Sequence, residues 1–150
     1  MSDVRYGEET SEPRDWILRF MLELLNRSDG NQIPITLTVG GTLITGMMIG
    51  VKDYYCLLGS QMRNMMAGTV GETLETFYRS IGDKSQQQAK EEPQDEAQLF
   101  REKSGPNFVH LKNAQIATPQ GLVPTDSTML WRGRVSQVQG FSLGRVRSGR

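Results

Sequence analysis

IPITLTVGGTLITGMMIG, residues Ile33–Gly50, contains two strand patterns back to back with a turn between them. Ile33, Ile35, Leu37 and Val39 alternate with Pro34, Thr36 and Thr38, the period-2 spacing of a strand with one buried face. Gly40-Gly41 supplies the two positive-φ positions of a tight type I′ hairpin, and Thr42–Val51 is the returning strand. Pro34 has no N–H to give to a ladder, which predicts that the first strand starts at a sheet edge. Gly46 and Gly50 predict a bend or bulge of the kind that curls a small sheet toward a barrel.

Upstream, residues 1–10 are polar and expected to be loose. Ser11 offers an N-cap and Pro13 suits a first helical turn, with DWILRFMLELLNR (Asp15–Arg27) as the helix and Ser28-Asp29-Gly30 as its stop. Asp15, Arg19, Glu23 and Arg27 recur at i,i+4, which predicts one solvated stripe of alternating charge. The other positions from Trp16 to Leu25 are all apolar, wider than the roughly 100° stripe that one packed face needs. One side can cover a sheet; the rest asks for a second partner.

Downstream, residues 52–68 and 69–82 carry helical spacing, weakened by Gly59, Gly68 and Gly71. Residues 82–106 are rich in Gln and Glu, with little apolar surface to offset ordering entropy, so a flexible insertion is expected there. NFVHLKNAQIA (107–117) is a strand with Phe108, His110 and Lys112 on one side and Val109 and Leu111 on the other. A loop over 118–126 leads to a strand over 127–138, and Gln139-Gly140 turns it into a last strand over 141–147. Read as one strand, Leu130–Val138 places Leu130, Arg132 and Arg134 opposite Trp131, Gly133 and Val135. Trp131, Val135, Phe141 and Leu143 then belong to the core, and the arginines form a basic outer skin. The expected fold is α+β: a small, strongly curved, barrel-like antiparallel sheet of about five strands with an N-terminal helix and a helical and flexible insertion. It forms a single domain over 11–147, with the insertion at about 82–106 and disordered tails at 1–10 and 148–150.

With 150 residues and 37% hydrophobic content, one modest core is the expectation. Seventeen basic residues balance seventeen acidic ones, so no global field favours nucleic acid or an anionic membrane. The charge is uneven, however: residues 104–150 hold six basic side chains and one acidic. A single cysteine, Cys56, excludes an intramolecular disulfide. No run of 18 apolar residues could cross a membrane as a helix. The first residues lack the charged-then-apolar order of a signal peptide, so a cytoplasmic location is expected.

Nothing assembles into a catalytic pattern. His110 is the sole histidine, and no sequence cue brings it to Cys56 as a nucleophile–base pair. One Cys and one His cannot close a zinc shell, and no phosphate-cradling glycine loop is present. The expectation is a non-enzyme with no catalytic, cofactor-binding or metal-ligating residue and no cofactor, His110 being a packed structural histidine.

FVHLKN-xx-I (Phe108, His110, Leu111, Lys112, Asn113, Ile116) is followed by WRGR (Trp131, Arg132, Gly133, Arg134) and V-x-GF-x-LGR (Val138, Gly140, Phe141, Leu143, Gly144, Arg145). This combination resembles the C-terminal block of gas vesicle accessory proteins of the GvpU type. The hairpin is similar to that family's first hairpin through Ile35, Leu37, Val39, Gly41, Ile44, Gly46, Ile49 and Tyr54. The loop after Thr118 and the 63–105 segment depart from the family pattern. The resemblance implies a cytoplasmic accessory protein, associated with gas vesicles, that influences vesicle assembly or clustering. It also implies shell or other accessory proteins as partners. Surplus apolar surface on the first helix and the basic C-terminal strands add self-association as a homo-oligomer. Trp16, Phe20, Arg132, Arg134 and Arg145 are the candidate partner-binding residues. The alternative is an Sm-like or SH3-like small barrel binding RNA or peptide; nucleic acid is disfavoured because Trp131 and its flanking arginines face opposite sides.

Overall fold

A computed structural model describes residues 15–91 and 106–147; the expected tails, Ser11, Pro13 and the 92–105 part of the insertion lie outside the described residues. The order is α1 (Trp16–Asn26), β1 (Gln32–Val39), β2 (Thr42–Ile49), α2 (Val51–Met65), α3 (Thr69–Glu91), β3 (Phe108–Thr118), β4 (Gly121–Val123), β5 (Met129–Arg134) and β6 (Val138–Leu143). All strand pairs are antiparallel, in the order β4-β3-β2-β1-β6, with β5 also on β3. The α+β class holds, but the sheet is open: β6 ends one side, β4 and β5 the other, and among the described residues no pairing closes them. Six strands in an open sheet thus replace the expected five in a curled, barrel-like one.

The hairpin forms as its spacing predicts. Gly40 and Gly41 have φ of 58° and 79°, and Val39 pairs with Thr42 across them. Gly46 does mark a bulge, where the β2–β3 register shifts and a side chain would press on the Lys112 carbonyl and Ala114 backbone. Gly50 is not a strand bend. It precedes α2, and any Cβ there would collide with the Leu25 carbonyl at the end of α1. β1 is not an edge strand either, since β2 and β6 flank it. Pro34 is tolerated because it sits at the end of the β1–β6 ladder, where its carbonyl accepts from the Gly144 N–H at 2.8 Å.

Helix α1 starts where Asp15 Oδ1 accepts from the N–H groups of Ile17 (2.9 Å) and Leu18 (3.3 Å), satisfying donors that have no partner within the helix. Leu18, Leu22 and Leu25 then pack with Ile35, Leu37, Ile44, Met48, Val109, Leu111, Ala114 and Val135. Each such leucine contributes about 1.5–3 kcal/mol by leaving water.

The other sheet face carries Thr36, Thr45, Ile49 and His110, and it is covered too. Tyr54 of α2 packs on His110. Past β6, Gly144 (φ 101°) turns the chain across the sheet. There the Val146 N–H donates to Thr45 Oγ1 (2.9 Å), Thr45 and Thr36 share a hydroxyl bond (3.1 Å), and Thr36 Oγ1 donates to the Gly144 carbonyl (2.9 Å). Thr45 is consequently fully buried, with its polar atoms satisfied.

Helices α2 and α3 form an antiparallel hairpin whose glycines permit close contact, Gly59 against Glu75 and Gly82 against Lys52 and Tyr55. Helix α3 continues to Glu91, ten residues into the segment expected to be loose. Gln86 holds it there, donating to Asp29 Oδ1 and the Ser28 carbonyl. The expected strand over Leu130–Val138 is broken by a 3₁₀ turn at Val135–Gln137, so the reversal comes before Gln139.

Candidate functional site

Helix α1 is apolar on both sides. At about 100° per residue, Trp16, Ile17, Phe20 and Leu24 fall on the arc opposite Leu18, Leu22 and Leu25, and these four are 39–45% exposed. The expected solvated charge stripe is instead a flank: Arg19 is buried, and Glu23 and Arg27 form a half-buried pair at 3.3 Å. Spacing at i,i+4 sets charges on one stripe but does not turn that stripe to water; the outermost face of the helix is apolar surface.

The arginines lie elsewhere. Arg132 and Arg134 share the sheet face of His110, opposite α1, so they form no common patch with Trp16 and Phe20. Arg132 sits 3.7 Å from the Phe108 ring centroid and donates through Nε to His110 Nε2 at 3.2 Å. That bond places the imidazole proton on Nδ1, which has no hydrogen-bond partner among the described residues. The His110 ring packs against Tyr54 at 4.5 Å. Burial pushes the imidazole down to about 3, and the Arg132 charge adds to the shift, so His110 is neutral at physiological pH. Burial likewise raises the Tyr54 phenol. Arg145 donates to the Asn113 carbonyl at 2.9 Å and pins the crossing chain. Arg134 is exposed. Of the three arginines, two are thus held in structural contacts.

Trp131 does face the core side, as the alternation predicts, and its indole lies over Gly133, where no side chain would fit. Phe141 packs on the core and Val135 is buried. Leu143 is a correction: it is 67% exposed, because β6 is the last strand and nothing described lies beyond it. Ile17, Leu24 and Leu143 belong with the exposed apolar surface, and a helical wheel could have found the first two.

Between α2 and the β3–β5 pair runs a groove of about 540 Å³ lined by Leu57, Asn64, Met65, Lys112, Met129 and Leu130. Among the described residues no group of three or more His, Cys, Asp or Glu side chains could hold a metal ion, and no helix is long and apolar enough to cross a membrane. The surfaces on the described residues are an apolar helix face, a basic strand and an amphipathic groove.

The model of one protein family, described as gas vesicle protein GvpU-like, matches residues 15–146. No curated protein and no solved structure matches the chain.

Proposed function

Because the chain belongs to the GvpU-like family of gas vesicle proteins, we propose that it acts in the cytoplasm as a non-enzymatic accessory protein that influences vesicle assembly or clustering. It does so through contacts with shell or other accessory proteins and with further copies of itself. The outward face of α1 carries the reading: Ile17, Phe20 and Leu24 are exposed beside Trp16 on a helix whose opposite side already fills the core. A contiguous apolar face of that kind marks an interaction surface. Arg134 adds a cation on the other side of the molecule, so contacts can form on two faces. The open sheet leaves the small-barrel alternative without a structural basis.

The test is flotation of the protein with purified gas vesicles. Phe20→Glu and Leu24→Glu are expected to reduce co-flotation at least tenfold while leaving the melting temperature unchanged, since both side chains point away from the core. Undiminished flotation of the double variant refutes the use of this face.

A further inference from the structure

The two ends of the sheet treat their unpaired backbone differently. At one end β4 is three residues long and β5 carries Arg132 and Arg134, both of which are devices that keep edges from pairing. At the other end β6, VQGFSL, has no charge and no proline, and among the described residues no strand lies beyond it. Its one irregularity is the bulge at Gln139, whose side chain is tied back to the Gly41 N–H at 3.1 Å. Gly140–Leu143 runs in unbroken register with β1.

That register identifies the free groups. The Gly144 N–H bonds to the Pro34 carbonyl, and hydrogen-bonded pairs alternate along an antiparallel ladder. Gly140 and Ser142 therefore bond to β1, while the N–H and C=O of Phe141 and Leu143 point away from the sheet. The side chains of Phe141 and Leu143 share the face that α1 covers, and Leu143 is 67% exposed.

We infer that β6 pairs antiparallel with β6 of a second copy of this chain, about a two-fold axis beside Ser142. In that register Phe141 of each copy lies opposite Leu143 of the other, and both pairs exchange their backbone bonds. Arg145 does not enter the pairing, because Gly144 has already turned the chain across the sheet toward Asn113, so no like charges meet. The strand is its own complement, as an isologous contact requires. The axis is perpendicular to the sheet, which leaves both α1 helices on one side of the joined sheet with their apolar faces turned the same way. The pairing deepens the self-association in the proposed function and rests on that reading for its use, not for its formation.

Sedimentation velocity of the full chain over a wide concentration range tests it. The wild type is expected to convert from monomer to dimer with concentration. Leu143→Pro removes an outward donor without touching a bond to β1, and Leu143→Lys places charge at the edge. Both are expected to stay monomeric with unchanged circular dichroism. In a Cys56→Ser background, Ser142→Cys is expected to form an intermolecular disulfide on mild oxidation, because a non-hydrogen-bonded pair brings the two Cα atoms to about 4.5 Å. A wild type that stays monomeric throughout, or a Leu143→Lys variant that dimerises like the wild type, overturns the inference. So does a dimer that Ser142→Cys fails to cross-link. Vesicle flotation separates the two readings: a dimer that never binds vesicles refutes the function and leaves the pairing intact, while a monomer that binds them does the reverse.

Discussion

Lowering the pH from 7 to 5 should destabilise this protein through a single side chain. His110 is the sole histidine, and burial holds it near 3 when folded, against an ordinary value of 6.5. At pH 7 it is neutral when folded and mostly neutral when unfolded, so its pH dependence there is weak. As the pH falls below 6.5 the unfolded chain takes up a proton that the folded chain refuses until about pH 3, so stability declines across that window. Each pH unit is worth about 1.4 kcal/mol, which gives a loss of about 2 kcal/mol by pH 5. Asp29 and Glu75, lowered chiefly by hydrogen bonds from Gln86 and Arg63, act in the same direction but below their unfolded values of 3.8 and 4.5. The window from pH 5 to 7 therefore isolates the histidine. Urea unfolding at both pH values, with His110→Gln as the comparison, reads the difference directly. Equal wild-type stability at pH 5 and 7, or the same loss in His110→Gln, refutes the reasoning, as does an imidazole proton resonance that titrates near 6.5.

Three substitutions probe the packing. Gly50→Ala drives a methyl into the Leu25 carbonyl and is expected to lower stability by about 2–3 kcal/mol, measured by urea denaturation. Gly133→Ala expels the Trp131 indole from its seat, with a loss of about 1–3 kcal/mol and a red-shifted tryptophan emission. Arg132→Ala removes the donor to His110 Nε2 and the cation beside it; a stability loss of about 1 kcal/mol is expected. An NMR titration should then show the imidazole pKa rising.

Local patterns were legible in the sequence, and long-range ones were not. The β1–β2 hairpin could be read because alternation and Gly40-Gly41 both act between neighbours. Helix α1 could be read as apolar over more than one packed face, although Asp15 rather than Ser11 caps its described start. Strand β4 escaped notice because three residues beside Pro124 carry no period. Helix α3 outran its polar composition because Gln86 docks on the α1–β1 loop, a contact across 57 residues that no local window contains. Curvature was overread at Gly50, whose missing side chain makes room for α1 and does not bend a strand. Of the five candidate contact residues, the alternation placed Arg132 and Arg134 on the correct face. It could not show that Arg132 is engaged by Phe108 and His110, or Arg145 by Asn113.

The threonine bridge between Thr36 and the Gly144 carbonyl spans 108 residues, and the same interval separates β1 from the strand that completes its second side. At about 5–20 residues per second of translation, the nascent hairpin waits roughly 5–20 s with one side of β1 unpaired. Assembly on the ribosome is thus governed by arrival of the late-made segment, and a chaperone able to shield β1 during that delay would raise the yield of native protein without altering its final stability.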